Sequence, residues 1–499
     1  AGAEERADPL RHPDSQRRFC VLEGAEELAA ALEWPFEKWA VFLHPSQRAV
    51  AERRFRGAAR VAGSAGTGKT VVALHRVVSA LEADPKARVL LTTFSEPLAA
   101  ALKRKLGVLL TARPEMIERV SVASFLDVAR QLHALATGRE PKLASSALVN
   151  SLLRRCAENA GEGVSDNFLQ SEWHHVVDAW QITDVETYGS IPRMGRKTRL
   201  SASRRAALWP IFERVRQELG HRALMTEASL FSAVMQAWQN RREKPFDHIV
   251  VDEAQDLGVP ELRMLAAIAP EGEDALFFAG DLGQRIFQQP FSWRGLGVDV
   301  RGRSSTLRVN YRTSHQIRRA ADRLLPEALR DTDGLEDDRR GIVSVFEGVE
   351  PQIVLAKSEA DEIAGVAAFL TEQVASGTAP AEIGLFVRDN AQRPRALAAV
   401  AAAGLSVADP GDAEMQGPVV DTMHLAKGLE FRTVVVLGCD EDALPSVERL
   451  SSVADEFELD EVMATERQLL YVACTRARDH LLVSGIAPGS VLIEEIGAW

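Results

Sequence analysis

Eight consecutive residues, Gly63-Ser64-Ala65-Gly66-Thr67-Gly68-Lys69-Thr70, bring glycines, a lysine and a hydroxyl together at a spacing suited to holding polyphosphate. Glycine lets backbone N–H groups curl around phosphate oxygens, and a helix starting there turns its positive end toward them. At these positions Lys69 reaches the β- and γ-phosphates and the Thr70 hydroxyl ligates Mg²⁺. A second cluster, Asp252-Glu253, closes the apolar run that begins at Phe246. Asp252 is placed to hold the metal, and Glu253 to orient and deprotonate an attacking water. Gln284 follows the run Asp274–Gly280 on a polar turn. Its amide can donate to a γ-phosphate oxygen and accept from water. Together these are the parts of an ATP site with Mg²⁺ as cofactor.

Such a loop carries meaning only between a strand and a helix. Arg60-Val61-Ala62 is apolar enough to end a buried strand, and Val71–Val77 can continue as a helix. Further strand candidates are 88–93, 249–252, 276–279, 306–309, 434–437 and 480–484. They alternate with helical stretches, and their near-continuous apolar character suits parallel strands buried on both faces. The fold class is therefore α/β with parallel sheets, and motif residues belong at the C-terminal ends of strands. Residues 125–246 are largely helical in pattern. The acidic stretch Ser451–Glu461 and the charged run Asp331–Arg340 read as solvated loops.

The 499 residues allow two to four domains. Apolar content of 46% and charged content of 26% are those of a soluble globular protein. No apolar stretch approaches the roughly 20 residues that span a bilayer, and the start lacks a secretion signal. The expectation is a cytoplasmic protein with no membrane partner. Cys20, Cys156, Cys439 and Cys474 are scattered without a Cys-x-x-Cys pair, which gives no zinc or iron–sulfur pattern. A net charge of −12 does not advertise a nucleic-acid binder, although a local basic channel can serve on an acidic protein.

The order of motifs resembles the UvrD/Rep family of superfamily 1 helicases, over a span from about Phe42 to Gly485. His44-Pro45-Ser46-Gln47 is similar to the family's adenine-reading motif. The two ATP motifs are Gly63–Thr70 and Val251-Asp252-Glu253-Ala254-Gln255-Asp256. Gly280–Phe287, Leu307–Ser314, Asp421–Phe431 and Glu466–Ala477 resemble motifs III to VI. The resemblance implies two RecA-like P-loop domains with ATP in the cleft between them, plus a mainly helical inserted domain. It implies that Gln47 grips the base edge, Tyr311 stacks on adenine and Glu430 bonds the ribose. Arg312 and Arg476 would act as arginine fingers from the second domain, neutralising charge on the γ-phosphoryl.

For nucleic acid, the resemblance places Phe94 after the strand 88–93, Ser124 in motif Ib, Trp293 after motif III, and Thr422 and His424 in motif V. Aromatics in such positions stack bases, and small polar groups follow phosphates. From its residues alone, the basic stretch Arg193–Arg199 reads equally as a contact to strand or duplex phosphates and as a solvated basic loop. Three departures stand out. Motif Ia reads Thr93-Phe94-Ser95-Glu96-Pro97-Leu98 without the family's Asn-Lys-Ala-Ala run, and motif Ib has Ala123 where His is usual. About 110 residues separate motifs IV and V, already holding strand candidates 341–347 and 382–388, so a large 2B insertion has little room.

The expected division is 1–40 as a connector or the edge of a missing upstream domain, 41–125 with 246–303 as RecA-like domain 1A, 126–245 as helical insertion 1B, and 304–499 as RecA-like domain 2A with 2B minimal or absent. The expected function is ATP-driven translocation or unwinding on single-stranded DNA, 3′ to 5′ by resemblance, by a monomer. Two alternatives stand beside it. One is an ATP-switched module that binds nucleic acid or a protein partner without unwinding. The other is the motor part of a larger nuclease or toxin-like fusion. RNA in place of DNA stays open, since stacking and backbone contacts read the two poorly.

Overall fold

A computed structural model describes residues 43–160, 165–191, 200–286, 291–334, 336–408, 416–451 and 456–497. The expected connector 1–40 and the basic stretch Arg193–Arg199 lie outside the described residues. Strands β1 (Ala59–Ala62), β2 (Val89–Thr93), β3 (Val120–Ser124), β4 (His248–Val251), β5 (Leu276–Gly280) and β6 (Ser304–Thr306) form one sheet. Its order is β3-β2-β4-β5-β1-β6 and every pairing is parallel. Successive side chains of a strand face opposite ways, and β2 shows the consequence. Val89 and Leu91 join one core with Val61, Leu74 and Phe277, whereas Leu90 joins another with Ile249 and Phe278. Helices therefore cover both faces. The helix Lys69–Ala83 buries Val72, Ala73, Leu74, Val77, Val78 and Leu81 along one stripe. Each large aliphatic among them contributes about 1.5–3 kcal/mol on leaving water.

The helices Phe125–Thr137 and Glu227–Trp238 pack in the core of this first sheet, through Val128, Leu132, Leu230 and Val234. The expected insertion 126–245 thus includes two helices that belong to the sheet. Amphipathic periodicity marks an apolar stripe but not what the stripe packs against. The inserted layer has its own core on the helices Ser146–Ala160, Val185–Ser190 and Ala202–His221, built around Leu152, Trp173, Tyr188 and Phe212. Tyr188 donates its hydroxyl to Glu172 at 2.8 Å inside it.

Past β6 the chain leaves the first sheet. The expected single strand 306–309 is divided: Thr306 ends β6, while β7 (Val309–Asn310) pairs with β10 (Val343–Ser344) in a separate ribbon. The expected core strand 341–347 is reduced to that ribbon. Between them, β8 (Ala328–Arg330) and β9 (Glu336–Asp338) form an antiparallel hairpin. Strands β11 (Gln352–Ala356), β12 (Ile383–Val387), β13 (Val419–Thr422), β14 (Phe431–Val436) and β15 (Ala477–Ile486) make a second parallel sheet in the order β11-β15-β14-β12-β13. The helices Glu359–Ala375 and Arg393–Ala402 cover one face and Glu456–Cys474 with His315–Asp322 the other. Two parallel α/β sheets with a helical insert match the expected fold class.

Two solvated-loop expectations fail. Ser451 closes the helix Val447–Ser451, and residues from Glu456 onward are helical. The run 331–340 carries Asp337 and Arg339, which are 6% and 8% exposed and face buried Arg60 and Asp281 respectively. Paired charges are the ones that reach an interior.

Candidate active site

The phosphate loop runs from β1 into the helix that begins at Lys69. Gly66 and Gly68 have φ of 80° and 83°, a region that side chains with a Cβ rarely enter. A Cβ on Gly66 would strike the Asn310 amide, and one on Gly68 the Gln47 amide. The loop is braced from both sides. Thr67 donates its hydroxyl to the Ser64 carbonyl at 2.8 Å, and Asn310 donates to the Ala65 carbonyl at 2.8 Å. Ala65 N–H donates to the Tyr471 hydroxyl at 3.3 Å. Gln47 donates to the Thr67 carbonyl at 3.0 Å and accepts the His44 N–H at 2.9 Å. Its amide thus braces the loop in this structure.

Lys69 folds back on the loop, donating to the Gly63 and Ser64 carbonyls at 2.7 and 2.9 Å, with Asp281 3.8 Å away. Burial pulls its pKa below the ordinary lysine value, partly offset by Asp281, Glu253 and Asp252. Thr70 donates its hydroxyl to Asp252 at 2.9 Å. Burial and the neighbouring Glu253 push the Asp252 carboxyl up. A hydroxyl oxygen and a buried carboxylate side by side are oxygen ligands that suit a divalent metal. Glu253 sits at φ 56°, ψ 41°, a costly backbone state for a residue with a side chain. Burial opposes its ionisation, but Lys427, 4.0 Å away, and Lys69 outweigh that and lower its pKa. A carboxylate that stays ionised is what a water-activating base requires.

The second sheet supplies the opposite wall. Arg476 lies at the start of β15, 2% exposed, and donates to the Gln284 carbonyl oxygen of the side-chain amide at 3.1 Å. Gln284 in turn donates to Asp281 at 2.8 Å. Burial and Arg312 push Arg476 down to about 10. Arg312 donates to Glu430 at 2.8 Å and to the Thr475 carbonyl at 3.1 Å. Although burial works the other way, Lys105 and Arg312 hold the Glu430 carboxyl down to about 2. Tyr311 packs its ring 4.9 Å from that of His44 and its hydroxyl 3.3 Å from Ser46. A cavity of about 370 Å³ lies among these groups, lined by Gln47, Lys69, Glu253, Tyr311, Arg312 and Arg476. Its size and its convergent charges suit a nucleotide.

The residues expected on nucleic acid are spread differently. Phe94 follows β2 and is 39% exposed. Trp293 is half-buried, with its ring 4.8 Å from Phe278. Thr422 ends β13, and half-buried His424 follows it. Burial and Arg388 push the His424 imidazole down to about 4, so it is neutral near pH 7. Ser124 lies where β3 ends. It caps the helix Phe125–Thr137, accepting the Asp127 N–H at 3.2 Å and donating to the Asp127 carboxylate at 2.6 Å, at 4% exposure. Its hydroxyl serves the helix.

Asn310, Tyr471, Asp281 and Lys427 brace the site without having been assigned roles from the sequence. Each stands inside or beside a quoted motif, which was the available signal; the partner across the fold was not. A larger cavity of about 590 Å³ lies elsewhere, between the helical layer and the first sheet, with Trp173, Trp180, Asp178 and Glu261 in its wall. Among the described residues, no helix is long and apolar enough to cross a membrane.

Residues 43–298 match the UvrD/REP helicase N-terminal domain, and residues 399–487 the UvrD-like helicase C-terminal domain. A probable DNA helicase of Mycoplasma pneumoniae is 25% identical over 266 residues, 50% of this chain and 45% of that protein. The ATP-dependent DNA helicase UvrD2 of Mycobacterium bovis is 25% identical over 235 residues, 46% of this chain and 30% of its own. The ATP-dependent DNA helicase PcrA of Staphylococcus epidermidis is 40% identical over 79 residues, 16% of this chain and 10% of its own. The chain spans less than half the length of each of these relatives. With the N-terminal family model alone running over slightly more than half of its residues, the chain belongs to the UvrD/Rep helicase family.

Proposed function

We propose that this chain is an ATP-driven motor on single-stranded DNA, moving 3′ to 5′ and acting as a monomer. The observation that carries the reading is the meeting of Arg476 and Gln284 across the cleft, beside Lys69, Glu253 and Arg312. Residues from two sheets share one phosphate-sized space, so closing the cleft and completing the site are the same event. Thr70 and Asp252 would hold Mg²⁺, which when bound neutralises charge on the β- and γ-phosphates. Lys69 leaves its carbonyl partners for the γ-phosphate. Arg312 leaves Glu430 for the γ-phosphoryl, which frees Glu430 to accept a ribose hydroxyl. Tyr311 offers its ring to adenine and Gln47 its amide to the base edge. Glu253 takes the proton of the attacking water, and Gln284 orients that water. Phe94 and Trp293 would stack bases, while Thr422 and neutral His424 would hydrogen-bond the backbone.

The names of the relatives support DNA as the polymer. The test is strand displacement on partial duplexes carrying a 3′ or a 5′ single-stranded tail. Displacement from the 3′-tailed duplex, dependent on ATP and Mg²⁺, is expected. Binding that responds to ATP with no displacement from either duplex would favour the ATP-switched module, and displacement from the 5′ tail would overturn the polarity.

A further inference from the structure

The charged run 331–340 reaches the nucleotide site from behind. Arg339, with a side chain 6% exposed, donates to the Tyr471 hydroxyl at 2.8 Å and to Asp322, lies 3.7 Å from Asp281, and stands 4.7 Å from the Tyr471 ring centroid. Those three partners come from three elements. Asp281 follows β5 of the first sheet, Asp322 ends the helix His315–Asp322, and Tyr471 stands on the helix Glu456–Cys474. Two of them lead straight to the chemistry. Tyr471 accepts the Ala65 N–H of the phosphate loop. Asp281 accepts from Gln284 and lies 3.8 Å from the Lys69 ammonium. Two residues earlier, Asp337 pairs with Arg60 on β1 at 2.8 Å and accepts the Leu282 N–H at 3.2 Å.

We propose that Arg339 is a positioning residue for nucleotide hydrolysis, setting Asp281, and through it Gln284 and Lys69, in a fixed relation to Tyr471 and the phosphate loop. The proposal rests on the reading of the cleft as an ATP site. The planar guanidinium is needed because it presents donors in several fixed directions at once, which the single ammonium of lysine does not. A strut that only held the fold would not need to end on the two groups touching Ala65, Gln284 and Lys69.

The test compares the parent chain with Arg339→Gln, Arg339→Lys and Tyr471→Phe in two arms. In the first, ATP turnover is measured. Arg339→Gln should lower kcat by about tenfold or more with the KM for ATP within about threefold, and Arg339→Lys should recover part of the loss. Combining Arg339→Gln with Tyr471→Phe should cost less than the two losses added together. In the second arm, amide hydrogen exchange is followed in the nucleotide-free protein. Segments 63–70 and 280–286 should exchange faster in Arg339→Gln, while the helix Ser146–Ala160 keeps its parent rate. Unchanged kcat and unchanged exchange in those segments would overturn the proposal. So would a uniform rise in exchange, which would make Arg339 a strut of the whole fold. A parent chain that hydrolyses no ATP would sink the functional reading, and the exchange arm would still decide the positioning role.

Discussion

Glu253 occupies the one position in the cleft where a backbone cost and an ionised carboxylate coincide. Its φ is a left-handed 56°, and Lys427, 4.0 Å away, and Lys69 hold its pKa below the ordinary value despite burial. Glu253→Gln should therefore retain nucleotide binding while kcat falls by roughly a hundredfold or more, the scale expected for loss of a general base. Equilibrium binding of a fluorescent ATP analogue, read beside steady-state turnover, checks both halves. Turnover within about threefold of the parent would remove Glu253 from the role. The residues of this site were legible in the sequence wherever a motif fixed both type and neighbours, as at Lys69, Thr70 and Asp252. They were illegible where the role depends on a partner far along the chain. Ser124 caps the helix Phe125–Thr137, and a serine before an amphipathic run does not tell from sequence alone which group it will bond. Arg339 looked solvated because its three partners lie up to 132 positions away.

At the scale of elements, the strands β2, β4, β5, β12, β14 and β15 each carry at least three consecutive apolar residues in the stretch buried on both faces. The edge strand β11 carries such a run too, Ile353-Val354-Leu355-Ala356, yet Val354 and Leu355 are exposed, so an apolar run alone does not separate an edge strand from a buried one. The helix Val259–Ile268 holds a testable charge at the junction with the helical layer. Burial, reinforced by Glu227, pushes the Glu261 carboxyl up to about 7 from its ordinary 4.5. Below pH 4.5 the group is protonated in both folded and unfolded chains and costs nothing. As pH rises toward 7 the unfolded chain ionises first, so the folded state loses stability, and above 7 the loss is constant. Glu261→Gln should thus melt near the parent at pH 4.5 and above it at pH 8, by on the order of 1–3 kcal/mol. Thermal melts at the two pH values check this, and an equal difference at both would contradict it.

For the whole molecule, the central feature is that two parallel sheets meet over one cavity lined by Lys69, Glu253, Arg312 and Arg476. Arg476 with Gln284, Lys427 with Asp256 and the Gln284 backbone carbonyl, and Arg60 with Asp337 all cross from one unit to the other. The two ion pairs among them, Lys427 with Asp256 and Arg60 with Asp337, are buried, so removing one partner would leave an uncompensated charge costing about 3–5 kcal/mol. Movement between the sheets would exchange such contacts together. The order of motifs made two such units legible in the sequence; the boundary between them was not. The crossing at Leu307-Arg308 lies inside the single strand candidate 306–309, and pairing partners divide it. The most direct test of the account is steady-state ATP hydrolysis with Mg²⁺, measured alone and with single-stranded DNA, beside duplex DNA and RNA. The account predicts slow hydrolysis alone and strong stimulation by single strands, and a rate indifferent to every nucleic acid would contradict it.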